Sequence, residues 1–97
     1  MRAVLGLEAV ASFVRKHPGW MLQGDAIYKT FQFSSFPKAV KFIEDLVDPS
    51  EKMNHHPDVL LSYTSVRISL ITHDSGGITQ DDLNLASEID DVYSSGK

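Results

Sequence analysis

Two short stretches of the chain, residues 51–58 (EKMNHHPD) and 72–79 (THDSGGIT), carry the side chains most suited to chemistry. They hold three of the four histidines: His55, His56 and His73. Histidine has the side chain whose unperturbed pKa lies closest to neutral pH, so it can donate or accept a proton under physiological conditions. A cluster of histidines therefore indicates proton transfer or metal binding.

The residue types alone leave three interpretations open. In the first, the histidines make local hydrogen bonds on the surface or in turns. In the second, three neutral imidazoles bind zinc or iron, with Glu51, Asp58 and Asp74 as outer partners. In the third, one imidazole donates a proton while another accepts one, and no metal is needed. Two adjacent histidines suit a metal less well than a pair spaced along one face of a strand or helix.

The residues around the histidines predict how they are placed. Pro57 pushes His56 toward extended backbone, so the histidine pair should lie in a loop. We expect His73 at the end of a strand, before a turn at Gly76 and Gly77 that lets backbone approach a ligand. Because residues alternate between the faces of a strand, His73 should point away from the side that helices cover. The hairpin would then bring the imidazoles toward one pocket.

Apolar residues that recur every three or four positions predict the helices. The apolar stripe of the first helix spans residues 7–14, and Pro18 ends the helix. The second begins at a cap from Ser34 or Ser35 and is closed by residues 48–50. The apolar positions of these two helices are Leu7, Val10, Ala11 and Val14, and Phe36, Ala39, Val40, Phe42, Ile43, Leu46 and Val47.

The remaining elements are a last helix and two hairpins. Thr79 is predicted to cap the last helix, with Asp82 at the reciprocal position of a capping box, and residues 94–97 form a frayed tail. Turns at residues 23–25 and 64–65 join strands that are rich in aromatic and β-branched residues. The four predicted strands cover residues 20–22, 26–33, 60–63 and 66–73.

The element order α-β-β-α-β-β-α predicts an α+β fold. Strands joined as hairpins are antiparallel, so the four strands should form one antiparallel sheet. Three amphipathic helices packed on one face of that sheet give a two-layer arrangement. We expect a single domain over residues 1–97, with the other sheet face and the edge strands open to a ligand or a partner subunit.

The composition excludes several classes of function. The chain has 97 residues and a formal net charge of -4, and it has no basic run, so direct nucleic-acid binding is disfavoured. The absence of cysteine rules out disulfides, thiolate chemistry and cysteine-bound zinc. No stretch approaches the roughly 20 apolar residues of a membrane span. We expect a cytoplasmic protein, with the nucleus as the alternative compartment, and we expect that its first helix is not a signal peptide.

Beyond these patterns, the chain resembles the pterin-4a-carbinolamine dehydratases. The most specific part of the resemblance is a histidine pair followed by proline, with Thr-His sixteen residues later. The resemblance covers most of the chain and is weakest at the first helix and the C-terminal tail. The residues that carry it are Gly19, Trp20, Asp25, Ala26, Ile27, Phe31, Phe33, Phe36, Ala39, residues 51–58, Tyr63, Val66, residues 70–79 and Asp82.

The resemblance implies loss of water from a 4a-hydroxytetrahydropterin to give a quinonoid dihydropterin, in the recycling of tetrahydrobiopterin after aromatic amino-acid hydroxylation. Hydroxide is a poor leaving group, so the oxygen on C4a needs a proton, and N5 must lose one. An imidazolium acid and an imidazole base would meet both needs. The resemblance implies that His55 and His73 exchange these protons while His56 holds the ring, with no metal and no separate cofactor.

The same resemblance implies the rest of the site. It assigns pterin binding to Asn54, Ile71, Thr72, Asp74 and Trp20, with Glu51, Asp58 and Asp82 in support. From the residues themselves, alternatives stay open for three of these side chains. Glu51 would form an ion pair at a helix end, Trp20 would be a core residue, and Asp82 would serve as a helix cap.

The chain departs from the family pattern at two positions near the histidine pair. Many relatives have tryptophan where this chain has Val59, so an aromatic surface for stacking on the pterin is lost. Some members have aspartate where this chain has Asn54, and a neutral amide raises the pKa of a neighbouring histidine less than a carboxylate does. Neither change touches the three histidines, so activity is still expected.

Relatives of this family also suggest a second class of function. Some animal members bind a homeodomain transcription factor and stabilise its dimer, so a non-catalytic interaction module is the alternative to an enzyme. Family members form dimers through sheet edges and often tetramers, so we expect a homodimer or homotetramer. Intact His55, His56 and His73 favour catalysis.

Overall fold

The computed structural model describes residues 3–96 and contains a four-stranded sheet with helices on one side. The elements in chain order are α1 (Leu7–Lys16), β1 (Met21–Gln23), β2 (Ala26–Gln32), α2 (Phe36–Asp45), α3 (Val47–Met53), β3 (Asp58–Ser62), β4 (Ser65–Leu70), a 3₁₀ turn (His73–Ser75) and α4 (Gln80–Ser95). No helix among the described residues is long and apolar enough to span a membrane.

The sheet is antiparallel throughout, with the strand order β1-β2-β4-β3. The central pair, β2 and β4, runs in register from Ile27 opposite Leu70 to Gln32 opposite Ser65. In β4 every second side chain is buried, because one face of the strand meets the helices. The other face carries polar side chains such as Arg67, whose guanidinium lies 4.1 Å from the ring centre of Tyr28. The predicted α+β fold class is confirmed.

The core lies between the sheet and the helices. Its buried side chains are Val10, Trp20, Ile27, Phe31, Ala39, Phe42, Leu46, Val66, Ile68, Leu70, Ile78, Leu83, Leu85, Ala86 and Ile89. The aromatic rings pack at angles that suit their quadrupoles, as where Trp20 meets Phe31 edge-on at 6.2 Å. Polar atoms that enter this layer are paired: Asp90 on α4 accepts from the Trp20 indole at 3.0 Å and from the Lys29 ammonium at 2.8 Å.

The prediction that residues 48–50 end the second helix is wrong. A separate helix, α3, begins at Val47 and continues through Pro49 to Met53. Pro49 is tolerated because it lies in the first turn, where backbone N–H groups have no partner within the helix. The hydroxyl of Ser50 donates to the carbonyl of Leu46 at 2.7 Å and ties the two helices together. Val47 and Phe36, predicted to face the core, are about half exposed.

Strand and helix ends also differ from the prediction. The hairpin turn is Tyr63-Thr64, one residue earlier than expected, because Ser62 pairs with Ser65. The Thr64 carbonyl also accepts from Phe33 N–H at 2.9 Å beside β2. The last strand ends at Leu70, so His73 lies beyond it. The last helix extends to Ser95, so the described part of the predicted frayed tail is largely helical.

Candidate active site

His55 is directed inward by the way α3 ends. Asn54 caps the helix in the left-handed conformation, with φ 50° and ψ 43°. Asparagine is one of the few residues that enter this region at low cost. The reversal lets His55 N–H donate to the Ser50 carbonyl at 3.0 Å. The chain therefore leaves α3 with the His55 imidazole turned toward the protein interior, where its side chain is only 12% exposed.

A buried carboxylate receives this imidazole. His55 Nε2 lies 2.5 Å from Asp82 Oδ1, and Asp82 is wholly buried at the start of α4. The second oxygen, Oδ2, accepts from the Thr72 hydroxyl and from Thr79 N–H, each at 2.8 Å. Thr72 and Thr79 also bond to each other through their hydroxyls at 2.8 Å. This Asp82 network joins the loop after α3, the segment that leads into the 3₁₀ turn, and the cap of α4.

The network fixes which nitrogen of His55 bonds to Asp82. A carboxylate only accepts hydrogen bonds, so the Nε2 of His55 is the donor to Asp82. The second ring nitrogen, Nδ1, is not engaged by Asp82. A buried carboxylate is costly unless its charge is compensated, and three donors on two oxygens provide that compensation.

His56 has a different environment from its neighbour. Its Nε2 lies 2.6 Å from Glu51 Oε2, and both side chains are more than half exposed. The pair borders a mostly apolar groove of about 220 Å³ at the β3 edge. The groove is lined by Ile43, Leu46, Val47, Ser50, Glu51, His56, Pro57 and Val59. An imidazole held by a carboxylate at the rim of an apolar groove is suited to positioning a flat ligand.

His73 begins the 3₁₀ turn directly after Thr72. Thr72 N–H donates to the Gly77 carbonyl at 2.9 Å, and Gly76 N–H donates back to the Thr72 carbonyl at 3.0 Å. Gly76 supplies the positive φ of 78° that closes the turn. The His73 side chain is exposed, and no side-chain hydrogen bond joins its imidazole to any of residues 3–96. Its position is therefore set by the backbone of the turn.

Some of the predicted site residues lie in or beside the Asp82 network, and others lie elsewhere in the fold. The Asp82 network brings together His55, Thr72 and Asp82, with Asn54 and His73 as the chain neighbours of His55 and Thr72. The backbone N–H of Thr72 is already engaged with Gly77, so it is not available to a ligand. Asp74 is exposed on the 3₁₀ turn and Ile71 is half-buried before it.

Two predicted residues lie elsewhere. Trp20 is in the core, bonded to Asp90, which is the alternative that the residues had left open. Asp58 lies on β3 opposite Ser69, on the sheet face away from the helices, and it contacts neither His55 nor His56 through a hydrogen bond among the described residues. Tertiary packing decides both positions, and a single sequence does not reveal it.

Sequence reasoning missed two contributors to the site. The Ser50 carbonyl holds His55 N–H, and the Gly77 carbonyl holds Thr72 N–H. Both contacts are made by backbone atoms, which leave no signature in side-chain patterns. Among residues 3–96, no three of the His, Asp and Glu side chains lie close enough to share a metal ion.

The chain belongs to the pterin 4 alpha carbinolamine dehydratase family, whose model matches residues 4–92. A relative from Trichormus variabilis is 39% identical over 92 residues, which is 95% of this chain and 99% of the relative. Another, from Sulfurisphaera tokodaii, is 46% identical over 79 residues, or 81% of this chain and 85% of the relative. Both carry the provisional name pterin-4-alpha-carbinolamine dehydratase.

Solved structures with the same fold carry more than one description. A transcriptional coactivator/pterin dehydratase from Brucella melitensis matches with a TM-score of 0.87 at 28% identity, over 93% of this chain and 98% of that one. A pterin dehydratase-like protein, identified as a RuBisCO assembly factor in the alpha-carboxysome, matches with a TM-score of 0.67 at 26% identity. That match covers 79% of this chain and 92% of the other.

Proposed function

We propose that this protein is a hydro-lyase that converts a 4a-hydroxytetrahydropterin into a quinonoid dihydropterin and water. The observation that carries the proposal is the contact between His55 Nε2 and the buried Asp82 carboxylate. That contact orients one imidazole, and the same carboxylate holds Thr72, the residue before His73. Membership of the family supports the assignment.

The reaction needs one acid and one base. The bond between C4a and the hydroxyl oxygen breaks while that oxygen takes up a proton, and N5 loses its hydrogen as the C4a=N5 double bond forms. In our proposal, His55 through Nδ1 and the imidazole of His73 serve as the two proton carriers. A positioned general acid or base accelerates such a step by about 10²–10⁴-fold. The proton taken from N5 balances the proton given to oxygen, so no net proton is consumed, and the two histidines regain their starting states by exchanging protons with solvent.

His56 and its neighbours are assigned to substrate binding. Glu51 holds the His56 imidazole at the rim of the apolar groove, where the ring can lie against a pterin. Asn54, Asp74 and the main chain of Ile71 are proposed to meet the donor and acceptor groups of the pterin edge. Val59 lines the groove in place of an aromatic residue, which favours weaker stacking on the substrate.

The activity is tested by following the decay of freshly generated 4a-hydroxytetrahydropterin by ultraviolet absorbance, with a chelator present. The wild-type protein should accelerate dehydration, and His55→Ala and His73→Ala should each lose most of the acceleration. His17→Ala is the matched control, since His17 stacks on Phe13 at 3.8 Å near the end of α1. A wild-type rate equal to the spontaneous rate would refute the proposal. A rate that chelation abolishes would refute the metal-free mechanism.

The biological setting is part of the same proposal. A dehydratase of this kind would serve the recycling of tetrahydrobiopterin after hydroxylation of aromatic amino acids, in the cytoplasm, and as a homodimer or homotetramer. The substrate is the pterin itself, and the protonation scheme uses only side chains of this chain.

A partner-binding role is the second candidate, because one structural neighbour is described as a transcriptional coactivator and another as an assembly factor. Such a role would use exposed apolar side chains such as Phe36 and Val47 on the helical side. It would tolerate His55→Ala and His73→Ala. A protein that lacks dehydratase activity while its histidine variants keep partner binding would favour this second candidate.

A further inference from the structure

The segment before α1 lies against the turn that carries His73. Leu5 N–H donates to the Ile78 carbonyl at 2.8 Å, which anchors the segment beside the end of the turn. Val4 covers Gly77: a Cβ atom added to this glycine would lie 2.9 Å from Val4 Cγ1. Gly77 is buried although it lies near the surface. Residues 3–6 therefore form a strap over the turn.

Gly77 links this strap to the candidate active site. Its carbonyl accepts the N–H of Thr72 at 2.9 Å and so closes the turn that contains His73. The hydroxyl of Thr72 donates to Asp82, which in turn holds His55. A displacement of Gly77 would therefore be passed to both proposed proton carriers, through the turn to His73 and through Asp82 to His55.

Gly76 and Gly77, the two adjacent glycines of the turn, exclude a side chain for different reasons. Gly76 has a φ of 78°, but a Cβ added there would meet no atom within 4 Å. Its requirement is conformational. Gly77 is not among the residues with positive φ, and Val4 leaves no room for a side chain. Its requirement is steric, and it is set by a residue 73 positions earlier in the sequence.

We propose that the strap of residues 3–6 is a positioning element of the candidate active site, in which Val4 packs on Gly77 and holds the His73 turn in its reactive geometry. Val4 is half-exposed, and its aliphatic side chain can neither donate nor accept a proton, so it is a positioning residue. The catalytic part of this inference rests on the proposed dehydratase function, whereas its structural part does not.

The test is a rescue experiment. Gly77→Ala should push the turn away from Val4, because Val4 is branched at Cβ and Leu5 N–H is pinned to Ile78. Misplacing a catalytic group by a fraction of an ångström should lower kcat on the order of tenfold. Adding Val4→Ala removes the clashing methyl and leaves Val4 Cβ at 3.8 Å, an ordinary contact. The double variant should recover kcat to within about twofold of Val4→Ala alone.

Gly76→Ala is the matched control. It strains the same turn through the backbone, so Val4→Ala should not rescue it. Rescue of Gly77→Ala but not of Gly76→Ala supports the strap. Equal rescue of both, or of neither, would overturn it. Should Gly77→Ala fail to fold, Val4→Ala alone still tests the proposal, because loosening the strap should speed amide exchange at Thr72.

A structural measurement separates this inference from the proposed function. The amide exchange rate of Thr72 and the NMR signals of the His73 imidazole should shift in Gly77→Ala and return in the double variant. If the wild type shows no dehydratase activity, the proposed function fails while these signals still report on the strap. If Gly77→Ala leaves both signals unchanged, the strap does not position the turn, whatever the activity is.

Discussion

Asp82 is the residue on which the candidate site depends most. It receives donors from three separate segments of the chain: the His55 imidazole, the Thr72 hydroxyl and Thr79 N–H. Burying this carboxylate carries a desolvation cost that its partners offset, and removing it would leave each buried donor without an acceptor, which is strongly destabilising. The residue therefore stabilises the fold and orients His55 at the same time.

Replacing Asp82 by asparagine should lower kcat on the order of tenfold to hundredfold, by analogy with the loss seen when the carboxylate partner of a metal-binding histidine is removed. Asparagine keeps the shape and one acceptor oxygen, but it removes the charge and can present an N–H to His55. Stopped-flow dehydration kinetics measure the effect. The control is Asp91→Asn on the exposed side of α4. Equal rates in the Asp82 variant and the wild type would show that orientation of His55 by this carboxylate is not needed.

Glu51 should matter for binding more than for stability. Its contact with His56 is exposed to solvent, and such pairs contribute about 0–1 kcal/mol to the free energy of unfolding. We expect Glu51→Gln to raise KM for the pterin with little change in kcat, since His56 is assigned to holding the ring. Steady-state kinetics and urea unfolding would measure both quantities.

Asp45 provides the matched control for Glu51. It forms another exposed pair, with Lys41 at 2.6 Å on α2. Asp45→Asn should change stability by a similarly small amount and leave KM unaltered. A Glu51→Gln variant that loses kcat and keeps its KM would contradict the assignment of His56 to substrate positioning.

At the level of the elements, the N-terminus of α4 is both a helix cap and part of the site. Thr79 and Asp82 form a capping box, and the Thr79 hydroxyl also contacts Thr72. Thr79→Ala should lower the free energy of unfolding by about 1–2 kcal/mol, because a cap and a buried hydrogen bond are lost. Activity should fall as well, since the Thr72 hydroxyl loses one partner, although the Thr79 N–H that donates to the Asp82 carboxylate is kept.

A variant at Ser35 separates the effect on stability from the effect on activity. Its hydroxyl caps α2 by accepting from Lys38 N–H at 3.3 Å, and it takes no part in the Asp82 network. Ser35→Ala should destabilise the protein by about 1 kcal/mol and leave the dehydration rate unchanged. Urea unfolding and kinetics on both variants would test this. A rate loss in Ser35→Ala equal to that in Thr79→Ala would mean that the rate follows stability alone.

The sequence predicts a contact of the site only when the two residues lie close together along the chain. The capping box was predictable because Thr79 and Asp82 are three residues apart and their side chains suit the cap. The partner of Asp82 was not, because His55 lies 27 residues earlier and meets it only through tertiary packing. The end of the second helix was predicted wrongly because of Pro49. Proline is common both after the end of a helix and in the first turn of a new helix.

The predicted end of the last strand, at His73, shows a second limit of sequence-based prediction. The alternation along residues 66–70 was predicted correctly, and Val66, Ile68 and Leu70 are buried. The alternation in burial continues as predicted, since Thr72 is buried and His73 is exposed, but the predicted strand end at His73 was wrong, because Thr72 N–H bonds to Gly77 and the strand stops at Leu70. The local pattern continues past the point where the backbone turns, so it cannot mark the end of the strand.

At the scale of the whole molecule, the two edges of the sheet are unequal. The edge strand β1 has three residues, whereas β3 has five and is followed by Tyr63 in the hairpin turn, which is 75% exposed. Leu60 at the centre of β3 is 63% exposed on the open side of the sheet. A longer edge with exposed apolar side chains is the more favourable site for pairing with a second chain.

We therefore expect the protein to dimerise by antiparallel pairing of β3 with β3 of a second copy, which would bury both copies of Leu60. Leu60→Lys should place like charges beside each other across the two-fold axis and shift the equilibrium toward the monomer in sedimentation experiments. Met21→Lys is the matched control, because Met21 is 53% exposed on the same side of the sheet but on the β1 edge. A wild-type monomer would rule out the dimer itself. A dimer that Met21→Lys dissociates and Leu60→Lys does not would place the contact at the opposite edge.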